Sequence, residues 1–270
     1  MYRMKRLLLI VGLQLIAFWE VWRWYVSRAV YSRDQPWGVL AFVAAFVFLF
    51  VSKKPWPREE RSLILPALLV FAYLATYSSF PPLARAVIAF TALATTASSL
   101  RFGRWFHPGL FGLFYLSLPA LPTLQFFGGY PLRRVVAELT APILRIGGFA
   151  VVPEGTCLNW AGKLIWIDGP CSGIKMLWVG LFFTFVLLCL YELPVLKSAL
   201  LVLLAFGVVI GANVFRAVAL FYLEAGVLNM PSWGHEYAGV IAFILEAAGI
   251  VSILFMLQRR NVCGGAVSST

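Results

Sequence analysis

The fold is decided by residues 198–223, SALLVLLAFGVVIGANVFRAVALFYL, in which Arg216 is the only charged side chain. About 20 consecutive apolar residues suffice for one helix to cross the hydrocarbon core of a bilayer. The chain can be divided into eight such stretches, so the sequence predicts an all-α polytopic membrane protein with about eight transmembrane helices. We predict the spans near residues 7–24, 36–51, 63–79, 82–98, 109–124, 172–191, 198–223 and 237–257.

The composition excludes most other classes of protein. With 61% hydrophobic and 12% charged residues, too little polar surface remains to coat a water-soluble globule. Four cysteines are too few for a disulfide scaffold, and metal-binding spacings such as C-x-x-C are missing, so we predict no metal and no other cofactor. The net charge of +11 comes from basic residues spread along apolar helices, which argues against a nucleic-acid partner.

The basic residues instead indicate how the chain is oriented. Cytoplasmic loops carry an excess of Lys and Arg, and eight spans place both termini on one side of the membrane. That side holds twelve basic residues against six on the other, so we expect cytoplasmic termini in a plasma-membrane protein. The twelve are Arg3, Lys5, Arg6, Lys53, Lys54, Arg58, Arg61, Arg101, Arg104, Lys197, Arg259 and Arg260, and the six are Arg28, Arg33, Arg133, Arg134, Arg145 and Lys163.

We interpret residues 1–270 as a single membrane-embedded domain in four parts. Five spans occupy residues 1–124, an external segment follows at 125–170, three spans lie within 171–257, and 258–270 is a cytoplasmic tail. In the external segment, apolar residues at helical spacing predict an amphipathic helix on the membrane surface, and the pattern after Gly148 predicts a short β-hairpin before the sixth span. The apolar residues are Leu132, Val135, Val136, Leu139, Ile143 and Ile146.

Three reactive side chains share one predicted depth, at or just below the outer surface. Cys171 precedes the sixth span, His235 precedes the eighth, and Arg216 lies about two turns below the outer end of the seventh. Cysteine, arginine and histidine on three helices are the components of nucleophilic acyl transfer.

Cys171 is a candidate nucleophile because the N-terminus of a helix favours the thiolate. The alternatives are a small buried cysteine that only packs, or a disulfide with Cys157, which would abolish the nucleophile. His235 is the available external general base, although a histidine at a membrane interface can also be a simple polar end group.

Arg216 is costly to bury in hydrocarbon unless a partner compensates its charge. It either stabilises an oxyanion or carboxylate, or forms a structural ion pair with Glu246, Glu20 or Glu224. Three polar residues are supporting candidates. Asn213, one turn before Arg216, could orient the guanidinium or supply a second donor. Asp168 and Glu236 could orient His235, or be no more than exposed interfacial acids.

Three motifs resemble the exosortase/archaeosortase family of membrane cysteine transpeptidases: Gly169-Pro170-Cys171-Ser172-Gly173-Ile174, Asn213-Val214-Phe215-Arg216-Ala217, and Gly234-His235-Glu236-Tyr237-Ala238-Gly239. The resemblance is specific over about residues 150–240 and rests on hydropathy before residue 125. It implies a helical membrane bundle with Cys171, Arg216 and His235 as its catalytic residues.

The resemblance also implies the substrate. Members of this family process exported proteins that carry a short motif such as Pro-Glu-Pro, a transmembrane helix and a basic tail, and can transfer them to a surface acceptor, which would be a lipid or polysaccharide. The competing hypotheses are a transporter with Arg216 on its pathway, a non-catalytic scaffold or lipid-binding protein, and a thiol oxidoreductase that cycles Cys157 and Cys171.

Overall fold

The structure is a computed structural model and describes residues 2–31, 37–59, 61–167, 173–227 and 233–264. Within these ranges the chain is mostly helical, with one small sheet. Helices α1 to α10 are Tyr2–Ala17, Trp19–Tyr31, Trp37–Val51, Ile64–Ala75, Pro82–Phe102, Pro108–Leu116, Leu121–Ile146, Ile174–Tyr191, Val195–Glu224 and Gly234–Gly264. Strands β1 to β3 are Val151–Glu154, Cys157–Trp160 and Lys163–Trp166.

The described helices confirm a multi-pass helical protein but not the predicted count of eight spans. Four helices, α5, α8, α9 and α10, are long and apolar enough to cross a membrane, and the number rises to six if two bent helix pairs each form one span. Helices α3 and α4 have only 15 and 12 residues. At 1.5 Å per residue, α4 covers about 18 Å, well short of the hydrocarbon core.

The two bent pairs explain why uniform apolar stretches in the sequence do not give straight spans. Helices α1 and α2 meet at 73°, and the indole nitrogen of Trp22 donates a hydrogen bond of 2.6 Å to the carbonyl of Leu15 just before the break. The other bent pair is α6 with α7. Their break contains Pro119, which has no N–H to continue a helix, so α6 ends at Leu116, earlier than the predicted boundary at 124.

The chain divides into two compact units. The N-terminal unit is Met1–Ala120 with Phe185–Glu192, and the C-terminal unit is Leu121–Thr184 with Leu193–Thr270. Small side chains let α5 pack centrally in the N-terminal unit, where Gln14 donates a hydrogen bond of 2.8 Å to Thr96. Packing of small residues and buried polar pairs is the usual way in which membrane helices associate.

Helix α7 contains the predicted amphipathic helix and is apolar on two faces. Ala137, Ala141 and Leu144 are buried in the core of the C-terminal unit. Leu139 and Ile146 of the predicted stripe remain 46% and 89% exposed, as a surface that contacts lipid would be. Val136 within the stripe belongs to the protein core, and contact of the exposed residues with a membrane surface stays a prediction.

The predicted β-hairpin is extended to a three-stranded antiparallel sheet in the order β1-β2-β3. Ala161 and Gly162 both have positive φ angles, 51° and 83°, which is the geometry of a two-residue hairpin turn. The side-chain oxygen of Asn159 accepts a hydrogen bond of 3.1 Å from the Gly162 backbone N–H. This second turn, between Trp160 and Lys163, is the feature that the hairpin prediction missed.

The sheet lies against α7 and the C-terminal half of α9. Leu158 and Ile165 pack in one cluster with Leu144 of α7 and with Val214 and Phe221 of α9. Lys163, at the tip of the sheet, donates a hydrogen bond of 2.7 Å to the carbonyl of Glu224, the last residue of α9. The stretch of α9 that contains Asn213 and Arg216 is thus held by a core of its own unit.

Candidate active site

Cys171 and Asp168, two of the predicted site residues, lie outside the described residues. The described chain on either side of them is well anchored. The backbone N–H of Ile167 donates a hydrogen bond of 3.1 Å to the carbonyl of Thr156. On the other side, Gly173 accepts a hydrogen bond of 2.7 Å from Leu177 in the first turn of α8. Cys171 is therefore two residues away in sequence from a fixed glycine.

Asn213 of α9 lies against that glycine. An added Cβ at Gly173 would stand 2.7 Å from the side-chain nitrogen of Asn213, closer than real Cβ contacts come. Gly173 also has a φ of +75°, which favours glycine. Asn213 is 2% exposed. Glycine at this position thus meets two demands, a left-handed backbone and a buried amide beside it.

Arg216 lies one turn further along α9 and faces α10. An added Cβ at Gly239 would stand 3.8 Å from Nε and 3.9 Å from Cζ of the Arg216 guanidinium. Arg216 is half-buried. The Arg216 guanidinium therefore lies beside Gly239 of α10, a position that has no side chain.

His235 stands on the same face of α10 as Gly239, because residues four apart in a helix are neighbours on its surface. Its side chain is exposed, in the first turn after the helix begins at Gly234. Glu236 is also exposed and lies in this first turn, where an acid is favoured by the helix dipole. The geometry thus brings Arg216 to within one helical turn of His235, measured along α10.

Two of the acids considered as structural partners of Arg216, Glu20 and Glu246, have surroundings of their own. Glu20 forms an ion pair of 3.1 Å with Arg23 on its own helix. Glu246 is 1% exposed, and neither of its carboxyl oxygens has a hydrogen-bond partner among the described residues. For Glu224 the contact with Lys163 is made by the backbone carbonyl and not by the carboxylate.

The carboxyl group of Glu246 nevertheless packs at a defined position, beside Gly180 and Val209. An added Cβ at Gly180 of α8 would collide with its Oε1, and would stand 2.7 Å from Cγ2 of Val209 in α9. Glu246 follows Gly239 by seven residues, or about two turns, so it lies about 10 Å deeper along the same helix face. In the sequence Glu246 stands out only as a partner for Arg216, because its proximity to Gly180 depends on how α8 and α10 pack.

Cys157, the possible disulfide partner of Cys171, is a free thiol, 6% exposed on β2. A free Cys157 is the state that a nucleophilic Cys171 requires. Among the described residues no group of three or more His, Cys, Asp or Glu side chains is arranged to hold a metal ion.

A narrow apolar crevice adjoins the site. Gly173 and Asn213 form its polar end, and apolar side chains of α7, α8 and α9 form the rest, namely Leu132, Leu177, Phe206, Val209 and Ile210. The crevice gives the amide of Asn213 an apolar surrounding, in which a hydrogen bond is stronger than in water.

A second polar cluster lies in the N-terminal unit and was missed by the sequence analysis. Glu192, just after α8, accepts contacts from Lys54, from Arg104 at 2.8 Å and from Nε2 of His107 at 3.1 Å. Burial alone would raise the pKa of Glu192, but the hydrogen bonds from His107 and Lys54 and the charge of Arg104 lower that pKa to about 2. The signal in the sequence was a single acid directly after a span, on the side predicted to hold Lys54 and Arg104.

A family model described as transmembrane exosortase matches residues 5–252 of the chain. The matched range includes Cys171, Asn213, Arg216 and His235. Searches of curated proteins and of solved structures find no significant match.

Proposed function

The chain belongs to the transmembrane exosortase family, and we propose that it is a membrane cysteine endopeptidase and transpeptidase that cleaves C-terminal sorting signals of exported proteins. One observation carries the proposal beyond family membership. Within one unit, α9 presents Asn213 to Gly173, two residues from Cys171, and Arg216 to Gly239, one turn from His235. A single helix thus connects the segment of the proposed nucleophile with the helix of the proposed acid and base.

In the proposed reaction, the Cys171 thiolate attacks the scissile carbonyl carbon and forms a tetrahedral intermediate. Arg216 stabilises the negative charge on the carbonyl oxygen, which a forked cation in a dry environment does well. The intermediate then collapses as the C–N bond breaks, and His235 protonates the departing amine. The product of this half-reaction is a thioester between Cys171 and the exported protein.

In the second half-reaction, neutral His235 takes a proton from an acceptor amine, hydroxyl or water as the acceptor attacks the thioester. The C–S bond breaks and the Cys171 thiolate is regenerated. Asn213 is the supporting candidate for a second donor to the oxyanion, because it is buried beside Gly173. Asp168 and Glu236 are supporting candidates for orienting His235.

The proposed substrates are membrane-anchored proteins that end in a short motif such as Pro-Glu-Pro, an apolar helix and a basic tail. The proposed acceptor is a lipid or polysaccharide at the cell surface. With both termini in the cytoplasm of a plasma-membrane protein, the site would lie at the external face. The exposed apolar face of α7, including Leu139 and Ile146, would rest in the outer leaflet beside it.

The test is processing of a reporter that carries a tripartite C-terminus, co-produced with the full chain in bacterial membranes. We expect the wild-type protein to release the basic tail, seen as a mass shift, and Cys171→Ala to leave the reporter uncut. Hydroxylamine should capture the acyl group from the wild-type thioester. Cys263→Ser is the matched control, because it removes a thiol from the predicted cytoplasmic end.

Processing by Cys171→Ala at the wild-type rate, with equal amounts of protein in the membrane, would show that the proposed chemistry is wrong. Fusion of a cytoplasm-dependent fluorescent reporter to the C-terminus checks the orientation. The orientation would be contradicted if the cytoplasm-dependent reporter stayed dark at the C-terminus while a reporter that also fluoresces in the periplasm was bright there.

A further inference from the structure

The N-terminal unit contains a large apolar cavity that the proposed reaction does not use. Its volume is about 700 Å³, within the roughly 300–1,000 Å³ of typical ligand sites. The second half of α3, α6 and the last turns of α8 form its walls. Val47 of α3, Leu113 of α6 and Val186 of α8 are among the apolar residues that line it.

One end of the cavity is cationic. Lys53 and Lys54, which follow α3, both line it and are exposed. Arg101 of α5 fixes this end, because its guanidinium donates hydrogen bonds of 2.6 Å to the carbonyl of Ser52 and 2.9 Å to that of Lys54. Arg101 also lies over the ring of Trp56, at 4.7 Å from the ring centroid. The two lysines are therefore attached to a held backbone rather than to a free loop.

The nearby acid does not neutralise this end. Glu192 provides one negative charge, which Lys54 and Arg104 share. His107 contributes a neutral donor, because its Nδ1 accepts a hydrogen bond from the backbone N–H of Leu110 and its hydrogen is therefore on Nε2. Lys53 adds a third cation, which leaves an excess of positive charge where the apolar walls end.

An apolar cavity that ends in fixed cations, in a protein surrounded by lipid, is complementary to a lipid with a negative headgroup. We propose that this cavity binds an anionic phospholipid, with an acyl chain between α3 and α8 and the phosphate against Lys53 and Lys54. A zwitterionic lipid offers the same acyl chain but also places a cation near the lysines. A water-soluble phosphate offers the charge without the apolar part.

Native mass spectrometry of the purified full chain in detergent tests the proposal, with phosphatidylglycerol, phosphatidylcholine and glycerophosphoglycerol as probes. We expect retention of phosphatidylglycerol in preference to the other two. Lys53→Gln should weaken that retention by about fivefold, from about 1 kcal/mol of headgroup attraction per lysine. Lys5→Gln, which removes an exposed cation from α1, should leave it unchanged.

Two valines of α3 provide a matched pair for the apolar part. Val47 and Val43 are each 50% exposed and stand one turn apart, but only Val47 lines the cavity. Val47→Trp should abolish retention of the lipid, and Val43→Trp should not. Equal retention of phosphatidylglycerol and phosphatidylcholine, or equal effects of the two tryptophan variants, would overturn the proposal. The readout is independent of reporter processing, so it is separate from the fate of the proposed reaction.

Discussion

The two units accommodate polar side chains in opposite ways. In the N-terminal unit, the carboxylate of Glu192 is surrounded by Lys54, Arg104 and His107, which compensate its negative charge with two cations and a neutral donor. In the C-terminal unit, three polar side chains of α9 and α10 instead lie against glycines of neighbouring segments. These pairs are Asn213 with Gly173, Glu246 with Gly180, and Arg216 with Gly239.

The difference indicates what each cluster is for. A carboxylate held by several donors is fixed, and its role is to connect the segment after α3, the loop before α6 and the end of α8. A polar side chain beside a glycine instead occupies space that a Cβ would fill, so its position depends on that glycine having no side chain. Polar side chains beside glycines therefore distinguish the proposed reactive region from the structural cluster around Glu192. Substitutions of these glycines test that distinction most directly.

The largest effect is expected at Gly239. An alanine Cβ would make only ordinary contact with the Arg216 guanidinium, at 3.8 Å, whereas a leucine would push the guanidinium aside. A displacement of about 1 Å at a reacting group can cost about 100-fold in rate. We therefore expect Gly239→Leu to lower reporter processing about 100-fold and Gly239→Ala to change it less than about threefold.

Gly211→Leu is the control, since Gly211 of α9 has no atom within 4 Å of an added Cβ. Equal losses for the leucine variants at 239 and 211 would contradict a specific role for the space at Gly239.

A smaller effect is expected at Gly173, where backbone strain and contact can be separated. Gly173 and Gly148 both have positive φ angles, +75° and +89°, but only Gly173 has Asn213 beside it. Alanine at either position should destabilise the protein by about 1–2 kcal/mol, measured by thermal unfolding in detergent. Only Gly173→Ala should also lower processing, by about tenfold, because it displaces the amide of Asn213. An equal loss of processing in Gly148→Ala would mean that strain alone explains the effect.

The sequence predicted the parts of this fold that depend on local pattern. Hydropathy located α5, α8, α9 and α10, because the apolar run and the span it forms occupy the same residues. It could not show that α4 is only 12 residues long or that α1 and α2 meet at 73°. At the α1–α2 break, the hydrogen bond from Trp22 to the carbonyl of Leu15 is a contact that hydropathy does not register. The turn at Ala161 and Gly162 was readable in principle, because Gly162 lies between Asn159 and Lys163 and glycine favours a positive φ angle.

In the candidate site, too, some features were visible in the sequence and others depend on how the helices pack. Arg216 was conspicuous as the single charge within 198–223, and its spacing from Asn213 placed the two on one helix face. The glycines opposite them were quoted in the motifs, but nothing in their order along the chain tells which polar side chain each one faces. That pairing is a property of helix packing, as is the convergence of Lys54, Arg104 and His107 on Glu192.

A moderate effect on stability is expected when the carboxylate of Glu192 loses its negative charge. The pKa of Glu192 lies at about 2, below its ordinary 4.5, so the unfolded chain binds this proton more tightly than the folded protein does. The stabilisation should therefore be complete above about pH 4.5 and decline as the pH falls toward about 2.

Glu192→Gln should flatten the dependence of the melting temperature on pH in that window. At neutral pH it should cost about 1 kcal/mol, because Lys54 and Arg104 are 43% and 37% exposed. A Gln variant with the full acid-dependent loss would show that other carboxylates cause it.

The smallest effect is expected from Glu246→Gln, and it contrasts most directly with Glu192. Among the described residues Glu246 has neither a cation nor a hydrogen-bond donor within reach, so the charge has no partner to lose. An isosteric amide fits the same seat beside Gly180 and Val209, and should change the melting temperature by less than the equivalent of about 0.5 kcal/mol. Gly180→Ala is the positive control, because overfilling that seat should cost about 1–3 kcal/mol. If Glu246→Gln were as destabilising as Glu192→Gln, then the surroundings of Glu246 would compensate a negative charge. The two units would then not differ in how they hold a buried carboxylate.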